Sequence, residues 1–255
     1  MNSSLKRILK SNQIKQWTPP FIFRLLHRSG FYKNYRPAVG KIQWGDFKSD
    51  VPFSKSFGFE RGGPVDRYYI ENFLLAESRL IKGRVLEIGD NEYTVRFGKQ
   101  HVTKSDILHV DSSNTSATII GDLSHVPQVE DNTFDCIILT QTLHLVYDYI
   151  AVIKSCYRIL KPGGVLLLTV PGLTPIDHGE WKENWLWSFN ERVMAKILSE
   201  VFKASDLELH TYGNVRVAAA FLYGAGISEV PKKVMDNTDE HFPVIVTARA
   251  VKGGM

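Results

Sequence analysis

The sequence predicts an α/β fold: a doubly wound, mostly parallel sheet of seven strands with helices on both faces. Short, continuously apolar segments such as Phe134–Thr140 and Val165–Val170 are typical of strands that are buried on both faces. These segments alternate with stretches in which apolar residues recur at helical spacing, which indicates strand–helix–strand crossovers. A basic N-terminal extension over residues 1–60 completes the predicted architecture.

The first half of the predicted sheet follows a helix that begins at Gly62–Pro64, because proline suits the first turn of a helix. Apolar residues recur at helical spacing from Val65 to Ile81, and Gly83 ends this segment. The strands predicted after it are Arg84–Gly89, Ile107–Asp111, Ala117–Ile120 and Phe134–Thr140.

The second half begins with a helix over Val146–Leu160, which the run Lys161–Gly164 is expected to break. The fifth strand, Val165–Val170, follows. Ser188 is placed to cap a helix over Phe189–Phe202. The two late strands are Leu207–Tyr212 and Val244–Val251.

Two domains follow from this pattern: a basic arm over residues 1–60 that packs on the main domain, and the main domain over residues 61–255. Short helices are expected near Leu5–Gln16 and Phe21–His27. Residues 1–45 hold nine basic residues and no acidic one, which leaves 22 basic against 27 acidic residues in the rest. This asymmetry favours an anionic partner, such as a membrane surface, a phosphorylated glycan or nucleic acid. A solvated basic face without a specific partner is the alternative.

Targeting and redox signals predict a cytoplasmic protein, with attachment to a membrane surface as an option for the basic arm. Residues Met1–Ser11 are polar and basic, without the apolar core of a secretory signal. The longest apolar run is far too short for a transmembrane segment. Cys136 and Cys156 lie in apolar segments and are expected to be reduced core thiols. No Cys/His cluster has zinc-ligand spacing, so no metal is expected.

Polar residues gather at the carboxyl ends of the predicted strands, where doubly wound sheets bind their ligands. The first strand leads into the turn Gly89–Glu92, which keeps a single glycine and adds two carboxylates. A pyrophosphate needs a glycine-rich turn, so NAD, FAD and nucleoside triphosphates are poor candidates. A nucleoside that carries cationic groups and no phosphate fits better. S-adenosylmethionine (SAM) is such a molecule.

Acids at two further strand ends suit a nucleoside. Asp111 is placed to accept hydrogen bonds from both ribose hydroxyls. Asp122 is placed to accept from an adenine amino group, with Leu123 packed on the ring. Each acid taken singly also fits a helix cap or a turn. Their shared order and spacing favour a ligand site.

Several segments together resemble class I SAM-dependent methyltransferases of the type 11 kind, over about residues 62–250. They are Gly83–Asp90, Val110–Asp111, Gly121–Leu123, Phe134–His144 and Arg158–Gly164. The resemblance implies a Rossmann-like fold and SAM as the cofactor. More narrowly, Phe57–Glu71 and the run Tyr212–Val215 resemble bacterial methyltransferase-domain proteins found near glycosyltransferases. That likeness implies glycan or glycoconjugate biosynthesis.

The resemblance also implies roles for individual residues. It places Glu87 and Gly89 in the loop that binds SAM, and it makes Asp111 the acid that binds the ribose. It places Asp122 and Leu123 at the adenine ring, and Thr140 and Gln141 beside the methionyl end of SAM. Asn91 and Tyr93 replace the family's further glycines, and Asp90 is placed to pair with the methionyl ammonium. Arg67 and Tyr68 are candidates to hold the methionyl carboxylate, with a surface ion pair as the alternative.

The acceptor side of the site is less defined. Methyl transfer to a hydroxyl is helped by a general base, and His144, just after the fourth strand, is the first candidate. His178, in the proline-containing stretch after the fifth strand, is the second. Trp181, Trp185 and Trp187 offer faces for a sugar ring or a cation, or else pack as core or lid.

Two functions are consistent with these observations. The first is O-methylation of a glycan, a glycolipid or a related small molecule. The alternative is a non-catalytic methyltransferase-fold partner in glycan biosynthesis, which contacts a glycosyltransferase through its basic arm. Nucleic acid is not expected as the substrate, because no RNA-binding module is found. The run Thr140–Leu143 also lacks the Asn/Asp-Pro-Pro type of motif common in base N-methylating relatives.

Overall fold

A computed structural model of the chain describes residues 19–31, 35–37, 39–40 and 42–254. The chain divides into two compact units, Met1–Asp50 and Val51–Met255. In the first unit, helix α1 (Pro20–Arg28) confirms the helix predicted over Phe21–His27. The helix predicted near Leu5–Gln16 lies outside the described residues. Residues 51–60, which the sequence analysis groups with the arm, fall in the second unit; the extent of the arm stays a prediction.

The second unit is built on a seven-stranded sheet with the strand order β3-β2-β1-β4-β5-β7-β6. Its first five strands run parallel to one another: β1 (Gly83–Ile88), β2 (Val102–His109), β3 (Ile119–Ile120), β4 (Phe134–Thr140) and β5 (Leu160–Pro171). Strand β7 (Ile245–Val251) runs antiparallel between β5 and β6 (Leu207–Tyr212). The predicted mostly parallel sheet is therefore confirmed. Strand order reverses between β1 and β4, so their carboxyl ends border the crevice in which such sheets bind ligands.

Helices cover both faces of this sheet, as predicted. On one face, apolar residues of α3 (Tyr149–Ile159) and α4 (Glu191–Ser199) form one buried cluster with the sheet. On the other face, α2 (Asp66–Ala76) and α5 (Val215–Leu222) form a second cluster. A single-turn helix, α6 (Lys232–Met235), contributes Met235 to the second cluster.

Several element boundaries differ from the prediction. The preceding helix ends at Ile159, before Lys161–Gly164, as predicted. Lys161–Gly164 itself belongs to β5, which begins at Leu160 rather than at Val165, and Gly163 N–H donates to the carbonyl of Lys252 at 2.7 Å. Asn190 rather than Ser188 caps α4, where its side chain accepts from Val193 N–H at 3.0 Å.

The segments that follow β1, β2 and β3 near the crevice are short turns and loops. After β1, the described chain makes a five-residue π-helical turn, Thr94–Gly98, before β2. Strand β2 starts five residues before the predicted position and ends at His109, so Asp111 follows the strand in a loop. Asp122 also lies in a loop, beyond β3. The acids predicted at strand ends are thus carried by loops that leave the sheet edge.

Both cysteines, Cys136 and Cys156, are buried and free, which confirms the predicted core thiols. Burial raises the pKa of each thiol, that of Cys156 to about 12. No helix among the described residues is long and apolar enough to cross a membrane.

Candidate cofactor and acceptor site

Glu87, near the end of β1, is a buried carboxylate that shapes the turn after the strand. Its Oε2 accepts from Thr94 N–H and from Thr94 Oγ1, both at 2.7 Å. Its Oε1 accepts from Tyr93 N–H at 3.2 Å. Burial raises the pKa of Glu87 to about 7, although these donors favour the ionised form. Because both oxygens bind the turn, Glu87 positions the loop, and its contact with a cofactor stays a prediction.

The turn itself borders open space. Gly89 has a φ of 90°, and a Cβ built on it would meet no heavy atom within 4 Å. The exposed Asp90 accepts from Glu92 N–H at 2.9 Å and so closes a small turn. The side chain of Asn91 instead points to β2, where Nδ2 donates to Ser105 Oγ at 3.2 Å. Gly89 and Asp90 are therefore the members of this turn placed to meet a ligand.

The loop after β2 is tied to this turn. Asn114 Nδ2 donates to the carbonyl of Gly89. Asp111, in the same loop, has a side chain that is 63% exposed, and its Oδ1 accepts from Ser113 N–H at 2.9 Å. The hydrogen bond with Ser113 lowers the pKa of Asp111. An ionised, accessible carboxylate therefore stands beside the Gly89 turn on a loop bonded to it.

The predicted adenine position is less open. Asp122 is exposed and its Oδ1 accepts from Ser124 N–H at 2.8 Å, so it stabilises its own turn. Leu123 is only 4% exposed and belongs to the core on the α3 side of the sheet. Contact of this pair with an adenine ring stays a prediction.

The carboxyl end of β4 carries a strained residue. Gln141 has a φ of 47°, in the left-handed region that non-glycine residues seldom adopt. Its N–H donates to the carbonyl of Thr169 at 3.0 Å, and Thr142 Oγ1 donates to the carbonyl of Thr140 at 2.9 Å. Backbone strain of this kind collects at functional sites, and here it lies at the crevice between β1 and β4.

The two candidates on α2 separate. Arg67 Nη1 donates to Tyr93 Oη at 2.7 Å, which brings its guanidinium to the turn that follows Gly89. Tyr68 instead donates its hydroxyl to Asp236, beyond α6, and lines a groove beside β6. The described contacts of Tyr68 therefore place it away from the Gly89 turn, because consecutive residues of a helix face different directions.

His144, in the single 3₁₀ turn after β4, is a buried imidazole that is only 1% exposed. Neither ring nitrogen has a hydrogen-bond partner among the described residues. The ring meets Trp185 edge to face at a centroid distance of 4.5 Å, and Trp185 Nε1 is likewise buried without a partner. Burial lowers the pKa of His144 to about 4, so the ring is neutral at neutral pH.

The stretch 185–187 is fixed over His144. Leu186 and Trp187 donate their backbone N–H groups to the carbonyl of His144 at 3.1 and 3.2 Å. Trp185 also stacks on Phe57 at a centroid distance of 5.4 Å. Buried polar groups in folded proteins are almost always hydrogen-bonded, so the orphaned nitrogens of His144 and Trp185 call for a polar partner, which a buried water or a ligand can supply.

The remaining histidine candidates lie in other surroundings. His178 is exposed in the loop after β5, next to Asp177, which accepts from the N–H groups of Gly179 and Trp181 at 3.0 and 2.7 Å. None of the described contacts joins His178 to His144. His210 lies on β6 and contacts Glu208 at 2.9 Å.

Sequence reasoning missed Asp66, in the first turn of α2. Its Oδ1 is buried without a partner among the described residues, and burial raises its pKa. An acid just after Pro64 resembles an ordinary helix start, so no sequence signal marked it.

Residues 73–168 match a family model that is described as a methyltransferase domain. The matched span contains Glu87, the Gly89 turn, Asp111 and His144 on the sheet described above. Over these residues the chain is similar to a methyltransferase domain.

Curated proteins named as methyltransferases are similar to this chain over part of their length. A demethylmenaquinone methyltransferase of Listeria monocytogenes is 32% identical over 95 residues, 37% of this chain and 37% of that protein. A Mycolicibacterium smegmatis protein named "Probable S-adenosylmethionine-dependent methyltransferase" is 25% identical over 148 residues, 58% of this chain and 50% of that protein. A ubiquinone/menaquinone biosynthesis C-methyltransferase of Pasteurella multocida is 25% identical over 164 residues, 55% and 61% of the two chains. The chain spans less than two thirds of each of these relatives.

Solved structures that are similar to this chain include the [4+2]-cyclase SpnF. Its TM-score is 0.48 at 16% identity, and the match covers 74% of this chain and 82% of that chain. A Haemonchus contortus phosphoethanolamine N-methyltransferase 2 in complex with SAM has a TM-score of 0.46 at 16% identity, over 84% and 61% of the two chains.

Proposed function

We propose that this chain transfers a methyl group from SAM to an oxygen of a glycan, a glycolipid or a related small molecule. The observation that carries the proposal is His144, a buried neutral imidazole with two unpartnered ring nitrogens at the carboxyl end of β4. Its place beside the crevice between β1 and β4 suits an acceptor group.

The residues at the Gly89 turn fit SAM. The open space in front of Gly89 leaves room for a ligand against the backbone, and Asp90 and Asp111 are exposed carboxylates. Carboxylates favour a cationic ligand without phosphate, with Asp111 on the ribose hydroxyls and Asp90 on the ammonium group. SAM supplies a methyl group on a sulfonium, which needs little further activation.

The pair of His144 and Trp185 fits a hydroxyl on the acceptor. An indole N–H only donates hydrogen bonds, whereas a neutral imidazole offers one accepting nitrogen. A hydroxyl can accept from Trp185 Nε1 and donate to the accepting nitrogen of His144, so it would satisfy two of the three orphaned nitrogens. Because its pKa is low, His144 is a weak base, and its main contribution is to orient the hydroxyl for in-line attack.

Two measurements test the proposal. Calorimetry with SAM and with S-adenosylhomocysteine tests the cofactor half, which fails if neither binds the folded protein at millimolar ligand. Transfer of tritium from methyl-labelled SAM to glycan and glycolipid acceptors tests the other half. We expect His144→Gln to keep SAM affinity and lose about 10²-fold or more in turnover.

Two other outcomes have specific support. The turn after β1 keeps a single glycine, which favours a non-catalytic partner in glycan biosynthesis if SAM does not bind. The relatives named for menaquinone and ubiquinone biosynthesis favour a quinone acceptor. A product methylated on carbon would therefore support SAM as the methyl donor and contradict oxygen as the acceptor atom.

The basic residues of the arm support attachment to an anionic membrane surface or to a glycosyltransferase. Nine positive charges without an acid in residues 1–45 attract anionic lipid at low salt. Flotation with vesicles of neutral lipid, with and without phosphatidylglycerol, tests the membrane partner. Equal flotation with both vesicle types removes it.

A further inference from the structure

A groove of about 340 Å³ lies between α2 and the edge strand β6, with α6 and the residues after it at one end. We call it the tyrosine groove, because Tyr68, Tyr69 and Tyr212 line it together with Asn72, Glu77 and Asp236. Its volume lies in the range of sites that hold small molecules. None of the residues assigned above to the Gly89 turn lines it.

The three tyrosines form an aromatic corner. Tyr68 meets Tyr69 at an interplanar angle of 82° with ring centroids 5.4 Å apart. Tyr69 stacks on Tyr212 at 18° and 5.6 Å. One wall of the corner is thus a stacked pair and the other stands perpendicular to it. Aromatic faces set at right angles surround a methylated ammonium group with the negative faces of their π systems.

The hydroxyls of this corner are already engaged. Tyr69 Oη donates to the carbonyl of Met235 at 3.0 Å, and Tyr68 Oη donates to Asp236. These bonds hold the rings in place from the side of α6. Tyr69 is only 3% exposed and lies behind the corner, so the ring surface that the groove offers comes from the half-buried Tyr68 and Tyr212.

The charge at the groove is negative. Three of its lining residues, Glu77, Glu208 and Asp236, are carboxylates. Arg249 contacts Glu77 at 3.5 Å and also pairs with Glu208, and His210 contacts Glu208 at 2.9 Å. One guanidinium beside three carboxylates leaves an excess of negative charge around the aromatic corner. Sugars would not need that charge, whereas an organic cation is attracted by it.

We propose that the tyrosine groove is a binding site for a quaternary ammonium group. The aromatic corner supplies the surface that such a cation prefers, and the carboxylates supply the field. The groove is separate from the residues proposed to bind SAM and the acceptor. A test of cation binding in the groove is therefore independent of the proposed methyl transfer.

Choline is the probe for this proposal, and saturation-transfer NMR on the full chain is the measurement. We expect saturable binding with a millimolar dissociation constant. The neutral carbon analogue 3,3-dimethyl-1-butanol has nearly the same shape, and we expect it to bind at least about fivefold more weakly, as loss of a cation–π contact predicts. Equal binding of the two compounds, or no saturable choline binding, overturns the proposal.

Variants locate the site. Tyr68→Leu removes the perpendicular wall and is expected to weaken choline binding about fivefold or more. Asp236→Asn removes one charge and is expected to weaken it without removing a ring. Tyr147→Leu, at an exposed tyrosine that packs near Trp187, is the matched control and should leave binding unchanged. Asp111→Ala should also leave it unchanged. Unaltered binding in both folded groove variants places choline elsewhere and refutes the assignment.

Discussion

Asn114 donates its side-chain amide to the carbonyl of Gly89 and thereby joins the loop after β2 to the turn after β1. The two segments are 25 residues apart in the chain and carry the exposed carboxylates of Asp90 and Asp111. A single bond thus sets the spacing of the two acids assigned to opposite ends of a nucleoside ligand.

Replacement of Asn114 by alanine should loosen that spacing. We expect Asn114→Ala to lose about 2 kcal/mol of stability, because two side-chain hydrogen bonds are removed, one to the carbonyl of Gly89 and one from Ser116 N–H. SAM affinity should fall about tenfold, since the loop that carries Asp111 is no longer held. Calorimetry and urea unfolding measure the two effects. Ser116→Ala, two residues along the same loop, is the control, and equal affinity loss in both variants would contradict this role.

Substitution of Gly89 tests whether a ligand lies in the open space in front of this residue, once the cost of backbone strain is accounted for. Gly89→Ala introduces a Cβ that meets nothing within 4 Å, at a φ of 90°, so its cost in stability is the strain of about 1 kcal/mol. Gly163→Ala is matched, because Gly163 has a φ of 78° and equally free surroundings. We expect similar losses of thermal stability in both variants and a loss of SAM affinity only in Gly89→Ala. Retained affinity in Gly89→Ala would show that no ligand lies against this turn.

Because the buried carboxyl of Glu87 has a raised pKa, the free energy of unfolding should fall as the pH rises. Its pKa is raised to about 7 in the folded protein against 4.5 for the free group, so folding takes up a proton between these values. The contribution is complete below pH 4.5 and is lost as the pH rises through about 7. Relative to Glu87→Gln, the wild type should lose on the order of 3 kcal/mol over that range, measured by urea unfolding. Glu92→Gln, at an exposed site, should keep the wild-type slope.

Because the buried imidazole of His144 has a lowered pKa, it should make the free energy of unfolding fall as the pH decreases. Its pKa is lowered from 6.5 to about 4, so the unfolded chain binds the proton more readily. This contribution is complete above pH 6.5 and is lost as the pH falls towards 4. The wild type should lose on the order of 2–3 kcal/mol over that range relative to His144→Phe. A flat wild-type curve would mean that water reaches His144.

Apolar patterning was sufficient to predict the sheet and helices on both its faces. Strands β4 and β6 were predicted to the residue, because each is a continuous or alternating run with clear ends. Helix α5 was missed, since its start depends on Asn214, whose side chain accepts from Arg216 and Val217 N–H, a contact that a single polar residue does not reveal.

The site was predicted in part for the same reason. Strand ends identify which acids lie at the carboxyl edge of the sheet, such as Asp111 in the loop after β2, while its contact with a ligand stays a prediction. The directions of neighbouring helix residues are set by packing, so Arg67 reaches the turn through Tyr93 while Tyr68 faces Asp236. The orphaned nitrogens of His144 depend on which groups the fold leaves around the ring, and no local pattern encodes that.

Strand β7 is the last of the seven in chain order, yet it lies between β5 and β6. During synthesis on the ribosome, β6 therefore emerges before the strand that will hold it. Until residues 245–251 have left the exit tunnel, β5 presents an open edge and β6 has no neighbour in the sheet. Unpaired edges of this kind are prone to aggregation, so the nascent chain is exposed to edge-to-edge pairing until its final strand inserts.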